Sequence, residues 1–282
     1  MSWARRAFDM VFGPCDAIRL TSFRALFCYT LALYSLHRFQ YAGEWLTTAG
    51  YHADGRVVAG QYPFPPLPPA WLPAFAVVYL GSLAALCLGW RPRLTIWPTL
   101  AGVIYVTFVD RLSAFTINQL FIAVLGILAL APPITRGPDG RETLRSAWPL
   151  RALQVTLALQ LFGAGVCKVL GEWPGEGDIL WHQVQYMYMT EAAAWMVRTL
   201  PLWAWAGLQH LALGFELLAP ALLLVPRLRP LAFLLALGMF GMIAVTMQHL
   251  VFFALQMLSF FVLFADEAWL ARVRGALRRR GG

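Results

Sequence analysis

Charge is scarce in this sequence, and lysine is nearly absent from it. Only 13% of the 282 residues are charged, and Lys168 is the single lysine beside 21 arginines. Soluble domains contain about 25% charged and about 45–50% apolar residues, whereas this chain is 60% apolar. The composition therefore excludes an ordinary soluble enzyme and predicts a protein whose main partner is the lipid bilayer.

The signals of several common sites are also missing. The sequence contains no HExxH, GxSxG, Walker A or paired-carboxylate motif, which excludes standard hydrolase and NTPase chemistry. The net charge of +8 is spread over short loops and the tail, so nucleic acid is not an expected partner. The cysteines lack paired spacing, and we expect neither a disulfide framework nor a metal cluster from them. They are Cys15, Cys28, Cys87 and Cys167.

Eight apolar runs, bounded by charged residues and prolines, predict about eight transmembrane helices in a single domain over residues 1–282. Each run is close to the roughly 20 residues that cross a hydrocarbon core of about 30 Å. The fold class expected is therefore an all-α, polytopic integral membrane protein. The last two runs are separated only by Gln248 and His249 and could form a tight hairpin. The predicted spans are 22–41, 71–90, 94–112, 117–133, 152–171, 203–225, 230–247 and 250–265.

The placement of arginine gives the predicted spans an orientation. Sixteen of the 22 positive residues fall on one side when eight spans alternate across the membrane, and most acids in the loops fall on the other. The positive-inside rule then predicts that both termini are cytoplasmic. The preference for arginine over lysine, with the abundant alanine, is typical of a GC-rich bacterial source. We therefore expect a multi-pass protein of the cell inner membrane.

Three segments outside the predicted spans have compositions of their own. Residues 1–20 are too charged for a cleavable signal peptide and predict an amphipathic helix on the membrane surface. The longer extracytoplasmic loops are 41–70, rich in glycine and proline, and 171–201, rich in tryptophan and tyrosine. The second favours an interfacial position or a re-entrant cap. The N-terminal residues expected to face lipid are Trp3, Phe8, Met10, Val11 and Phe12.

Lys168 stands near the outer end of the fifth predicted span. An ionisable group inside a membrane needs a partner or a task, because its charge is costly there. Arginine stays protonated, whereas a buried lysine can lose its proton and act as a base or nucleophile. Alternatively, the lysine extends its ammonium to the interface and marks the helix end. Gln160 lies on roughly the same helix face, and Gly163 and Gly165 would let a helix or a ligand approach the backbone.

Glu216 lies in the middle of the sixth predicted span and needs a partner or a proton. Lys168, Arg24 and Arg38 are its candidate partners, and a structural ion pair competes with a catalytic role. His210 is six residues earlier and falls on a different face of the same helix.

A layer of polar residues in the outer half of the predicted membrane favours a polar cavity that opens to the extracytoplasmic side. The three histidines in this layer lack the spacing of metal ligands, so no metal site is expected. The layer comprises His37, Arg38, Asp110, Arg111, Asn118, Gln119, Lys168, His210, Gln248 and His249.

The stretch around Lys168 resembles a motif of the vitamin K-dependent γ-carboxylase family and its bacterial relatives, the horizontally transferred transmembrane domain proteins. In that motif a glutamine, an aromatic–x–Ala–Gly turn and a lysine precede a tryptophan. The matching residues are Gln160, Phe162 to Gly165, Lys168 and Trp173. Lipase maturation factors have a similar Phe–Gly–Ala–Gly–x–x–Lys stretch.

Further segments resemble this family in the same order, over most of the chain and most strongly from 150 to 267. Glu216, Pro220 and the segment 226–230 are similar to its Glu–Pro–Arg–Pro pattern in the sixth span. Segments 118–132 and 253–264 resemble its fourth and last spans.

The resemblance implies a carboxylase-like membrane enzyme in which Lys168 is the base. It also implies a lipophilic cofactor, reduced vitamin K or another quinol, and a peptide or protein substrate that arrives from the extracytoplasmic side. Gln119 stands where carboxylases have histidine, Gly241 stands where many relatives have histidine, and the large lumenal domain has no counterpart here. These departures argue against γ-glutamyl carboxylation itself. The candidate catalytic residues are Lys168, Gln160, Gln119, His210 and His249, with Glu216, Asn118 and Trp173 in supporting positions.

Two other functions remain open. A non-catalytic maturation or partner-binding protein would hold Lys168 and Glu216 as a structural pair and would tolerate Lys168→Arg. A transporter would need broken helices in mid-membrane, for which Gly214 and Pro220 are thin support. A polar pocket at Lys168 with Glu216 out of reach favours the enzyme. A packed contact between the two without a cavity would contradict the base hypothesis and leave a structural or partner-binding role.

Overall fold

The computed structural model describes residues 3–50, 64–109, 116–137, 141–185 and 189–280. The described chain is mostly helical and divides into two compact units, Met1–Pro149 and Leu150–Gly282. Of the outer polar layer, Asp110 and Arg111 lie outside the described residues, as do parts of both longer loops.

The first unit contains six helices and three short strands in its described residues. These are α1 (Trp3–Phe12), β1 (Cys15–Asp16), α2 (Ile18–Phe39), α3 (Ala42–Trp45), α4 (Leu72–Leu88), α5 (Pro92–Val109), α6 (Thr116–Leu130), β2 (Ile134–Arg136) and β3 (Glu142–Leu144). Helix α4 packs on both α2 and α5, and α5 packs on α6. A short 3-10 turn, Pro69–Trp71, leads into α4.

Aromatic rings and a small polar contact join the helices of the first unit. Phe27 of α2 meets Phe121 of α6 edge to face, with ring centroids 6.0 Å apart. The buried hydroxyls of Ser35 and Tyr79 lie 2.9 Å apart and connect α2 to α4. Tyr79 also packs against Gly102 of α5, where a β-carbon would collide with the ring. The small residue therefore lets α4 and α5 approach each other.

Helix α1 is shorter than the predicted segment 1–20, since it ends at Phe12. Pro14 disfavours helical backbone at the residue before it, so the chain leaves the helix there. Most of the apolar side chains expected to face lipid are exposed, including Trp3 at 84%. Asp16 then accepts a hydrogen bond from the Ile18 nitrogen at 2.7 Å and starts α2.

A small antiparallel sheet was missed by the all-α prediction. Its strand order is β1–β3–β2, with Cys15 opposite Leu144 and Thr135 opposite Thr143. The strands have only two or three residues, too few for the alternation of apolar and polar side chains that predicts a strand. The sheet attaches the start of the first unit to its end.

The second unit is helical throughout its described residues. It contains most of α7 (Trp148–Val169), then α8 (Ile179–Gln183), α9 (Glu191–Thr199), α10 (Leu202–Leu224), α11 (Arg229–Thr246), α12 (Val251–Ser259) and α13 (Glu267–Arg280). Helix α11 packs on α10, α12 and α9, and α8 packs on α10. Short 3-10 segments, Pro226–Leu228 and Phe260–Phe264, follow α10 and α12.

The last two predicted spans are joined by a tight turn. Helix α11 ends at Thr246 and α12 begins at Val251. His249 in this turn has a φ of 68°, a left-handed backbone conformation that few residues other than glycine adopt. The polar break between the two apolar runs is therefore a real chain reversal.

Four helices of the described chain are long and apolar enough to cross a membrane, which supports the assignment as a membrane protein. They are Pro69–Leu88, Trp148–Val169, Leu202–Leu224 and Pro226–Thr246. A fifth is possible if Val251–Phe264 and Glu267–Ala276, bent by 116°, form one span. The other predicted spans correspond to α2, which carries three arginines, to α5, and to α6, which has 15 described residues. An eight-span topology stays a prediction.

Candidate functional site

Lys168 of α7 and Glu216 of α10 contact each other directly. The Nζ of Lys168 donates to both carboxylate oxygens of Glu216, at 2.6 Å in each case. Glu216 is almost fully buried, whereas a quarter of the Lys168 side chain is exposed. Of the three partners considered for Glu216, the structure selects Lys168.

Close packing of α7 against α10 creates this contact. A β-carbon on Gly165 would lie 3.0 Å from the backbone nitrogen of Leu217, the residue after Glu216. Lys168 follows Gly165 by three residues and so lies on nearly the same face of α7. No heavy atom lies within 4 Å of the corresponding position at Gly163 among the described residues. Gly165 therefore permits the close approach of α7 and α10, whereas Gly163 does not take part in it.

Trp173 completes the surroundings of the lysine. The Lys168 Nζ lies 4.6 Å from the centroid of the Trp173 ring, within the range of a cation–π interaction. The ammonium therefore has a carboxylate on one side and an aromatic ring on another.

Gln209, which the sequence analysis overlooked, holds the Trp173 segment in place. Its Nε2 donates to the carbonyl of Trp173 at 2.7 Å and to the carbonyl of Glu176, and its Oε1 accepts from the Leu180 nitrogen at 3.0 Å. The side chain is completely buried. A signal was present in the sequence, because Gln209 precedes Glu216 by seven residues and so shares its helix face.

The remaining candidates in the second unit lie away from the pair. Gln160 is half-buried and lies about 12 Å before Lys168 along α7, at roughly 1.5 Å per residue. His210 is exposed, with its Nδ1 2.7 Å from the carbonyl of Ala206 on its own helix. His249 is exposed in the α11–α12 turn. In the described chain the pair has no direct hydrogen bond with Gln160 or His210.

The first unit contains the two candidates from the fourth predicted span. Asn118 is buried and accepts a hydrogen bond from the Tyr34 hydroxyl at 3.1 Å, and Tyr34 in turn accepts one from Arg38. Arg38 also lies over the Trp45 ring, 4.2 Å from its centroid. Gln119 is exposed. Asn118 and Gln119 are adjacent in sequence, but the first is buried and the second is exposed.

The second unit thus offers a lysine and a carboxylate that can exchange a proton, flanked by an aromatic ring. Within the described residues no group of three histidine, cysteine, aspartate or glutamate side chains could hold a metal ion. Comparison with models of protein families, with curated proteins and with solved structures finds no match for this chain.

Proposed function

We propose that this chain is a carboxylase-like membrane enzyme in which Lys168 and Glu216 form a proton-transfer pair. The observation that carries the proposal is the residue type, because the group that pairs with the buried carboxylate is the only lysine among 22 basic residues. Lys168 would act as the base, with Glu216 as the group that receives the proton from it. The enzyme would span the bacterial inner membrane eight times with both termini in the cytoplasm.

The residue type at position 168 supports a role in proton transfer. A guanidinium matches a carboxylate in a planar, bidentate arrangement better than an ammonium does. The chain uses arginine at every one of its 21 other basic positions. A pair needed only for stability would therefore be served well by arginine. Lysine differs from arginine in that it can give up its proton, and a base needs that property.

The contact changes how the base would operate. Because Glu216 is within hydrogen-bond distance, Lys168 would operate as one member of a pair rather than as an isolated amine. Transfer of one proton from Lys168 to Glu216 gives a neutral amine and a neutral acid, which a low-dielectric interior tolerates better than separated charges. The amine can then take a proton from a substrate O–H or C–H group, while Glu216 releases its proton to water.

The cofactor implied by the family resemblance fits the groups around Lys168. Two of the three ammonium N–H donors point to Glu216, so one remains to bind an oxygen of the cofactor. The Trp173 ring beside the ammonium offers a flat apolar surface for the quinol ring. Lys168 and Trp173 would therefore meet reduced vitamin K or another quinol. Such a group supplies an acidic hydroxyl when bound. A peptide or protein substrate would reach the pair from the extracytoplasmic side.

The closed contact also favours a second candidate, a non-catalytic maturation or partner-binding protein. In that protein the pair would only join α7 to α10, and Lys168 would never lose its proton. A transporter is a weaker third possibility, because α10 continues without a break through Gly214 and Pro220, from Leu202 to Leu224.

Replacement of the lysine by arginine separates the first two candidates. Wild-type protein, Lys168→Arg and the surface control Arg198→Lys would be placed in lipid nanodiscs with reduced vitamin K and oxygen, and consumption of the quinol measured. We expect Lys168→Arg to lower turnover at least about a hundredfold, the scale of general-base catalysis, with an unchanged melting temperature. The control should keep wild-type turnover.

Two outcomes would contradict the enzyme proposal. If Lys168→Arg consumed quinol at the wild-type rate, the amine would not be the base and the pair would be structural. If wild-type protein consumed neither reduced vitamin K nor other quinols of the bacterial membrane, the partner-binding candidate would replace the enzyme.

A further inference from the structure

A second site lies in the first unit, where the turn between α4 and α5 faces the end of α6. The structure contains a cavity there of about 450 Å³. This volume is within the range of roughly 300–1,000 Å³ that is usual for sites of small molecules. The cavity is remote in sequence from Lys168, and its residues have no part in the proposed proton-transfer pair.

Three arginines line this cavity. Arg24 comes from α2, Arg91 from the α4–α5 turn and Arg93 from the start of α5. No aspartate or glutamate is among the described residues of the lining. The charged side chains of the lining are therefore all positive, and an anion would be attracted to them.

The backbone of the α4–α5 turn allows the arginines to gather. Gly89 ends α4 with a φ of 73°, and a β-carbon there would lie 3.1 Å from Nη2 of Arg24. A residue without a side chain therefore leaves room for the guanidinium beside the turn. Arg91 itself has a φ of 41°, which residues other than glycine seldom adopt. Its conformation places it at the cavity, and its guanidinium lies 5.5 Å from the ring centroid of Trp90.

The rest of the wall is apolar. It includes Leu20, Leu86, Ile96, Leu128 and Pro132. On the outside of the same turn, Trp90 and Trp97 are more than half exposed, as expected for residues at the boundary between lipid and water. A ligand that fits must therefore combine an anionic head with an apolar body.

We propose that this cavity binds an anionic phospholipid, with the phosphate near Arg24, Arg91 and Arg93 and the acyl chains along the apolar wall. Arg91 and Arg93 belong to a loop predicted on the cytoplasmic side, so the lipid would come from the inner leaflet. Free phosphate would match the arginines but would leave the apolar wall exposed to water. The proposal is independent of the enzyme proposal, because the two sites share no residue.

Lipid retention by purified protein tests this site. Wild-type protein in a zwitterionic detergent would be given dioleoyl phosphatidylglycerol, dioleoyl phosphatidylcholine or inorganic phosphate, with bound lipid counted by native mass spectrometry and melting temperature recorded. We expect phosphatidylglycerol to be retained and to raise the melting temperature, while phosphatidylcholine and inorganic phosphate have little effect.

Two variants test separately the positive charge of the cavity lining and the volume of the cavity. The double variant Arg91→Gln/Arg93→Gln should weaken retention about tenfold or more, as expected for two basic residues near an anionic headgroup. Ala129→Phe keeps every charge but fills part of the cavity, and should also lower retention. The matched control is Arg227→Gln/Arg272→Gln, which removes two exposed arginines outside the cavity lining. It should retain the lipid as wild type does.

Several results would overturn the proposal. Equal loss in the control would indicate nonspecific attraction to a basic surface. If phosphatidylcholine were retained as well as phosphatidylglycerol, the arginines would not select an anionic headgroup. A melting shift with inorganic phosphate as large as with phosphatidylglycerol would indicate a site for the free ion rather than for a lipid.

Discussion

Gly165 of α7 lies directly against the backbone of Leu217 in α10, so that a β-carbon on the glycine would be 3.0 Å from the Leu217 nitrogen. This is tighter than nearly all contacts that real β-carbons make. The ion pair between Lys168 and Glu216 forms just beyond this point. Helix spacing at Gly165 therefore controls whether the lysine reaches its carboxylate.

Gly165→Ala should destabilise the protein and loosen the ion pair. The added methyl group forces α7 and α10 apart, and such overpacking costs about 1–3 kcal/mol in free energy of unfolding. Gly163→Ala is the matched control, because that position faces open space among the described residues, and it should be neutral or stabilising by up to about 1 kcal/mol through helix propensity. Denaturation in detergent would measure both. Equal effects would contradict the close approach.

Removing one member of the ion pair should lower the free energy of unfolding more than removing both. Lys168→Met leaves the buried Glu216 carboxylate without its partner, and the free energy of unfolding should fall by about 3 kcal/mol. The double variant Lys168→Met/Glu216→Leu should lose less than either single variant, since no buried charge remains. A double-mutant cycle by chemical denaturation measures the coupling. Additive losses would show that the contact does not contribute in solution.

Gln209→Leu should release the segment around Trp173 from α10. The variant loses hydrogen bonds to three backbone groups, and we expect a destabilisation of about 1–3 kcal/mol. Amide hydrogen exchange should become faster in residues 172–180, which is a local effect that general destabilisation does not produce. His210→Leu is the control, because the imidazole is exposed and bonds only to its own helix. Unchanged exchange in Gln209→Leu would contradict the anchoring role.

The eight-span topology predicts which side of the membrane each terminus and loop occupies. In a variant whose four native cysteines are replaced, Glu172→Cys should react with an impermeant maleimide in intact spheroplasts. Trp3→Cys, Arg227→Cys and Arg274→Cys should react only after permeabilisation. Labelling of Trp3→Cys and Arg274→Cys from opposite sides would require an odd number of spans and would contradict the arrangement.

The sequence identified the ion pair better than it identified its surroundings. Lys168 and Glu216 stand out because an ionisable residue in an apolar run needs an explanation, and only a few partners were available. Gln209 attracted no attention, because a neutral amide in a span is less costly than a charge. Its three partners are backbone groups, which leave no mark on the sequence. The close approach at Gly165 was expected, but nothing in the sequence distinguished this glycine from Gly163.

The fold, like the site, was predictable from the sequence only in part. Pro14 and Gly89 limit α1 and α4, but the prediction overlooked Pro14 and extended the N-terminal helix to residue 20. The small sheet could not be predicted, since pairing between residues far apart depends on where the intervening helices place them. Hydropathy alone does not determine whether α2 spans the membrane, because the passage of its three arginines through lipid depends on what surrounds them.

The sheet has a consequence for the order in which the first unit is made. Asp16 of β1 pairs with Thr143 of β3, so the partner strand leaves the ribosome long after the first. At about 5–20 residues per second, the N-terminal strand waits roughly 6–25 s for it. During this time helix α1 would lack the sheet that attaches it to the rest of the first unit. A chain truncated before Glu142 would lack β3 and the attachment of its first helix, while α2, α4, α5 and α6 would already be complete.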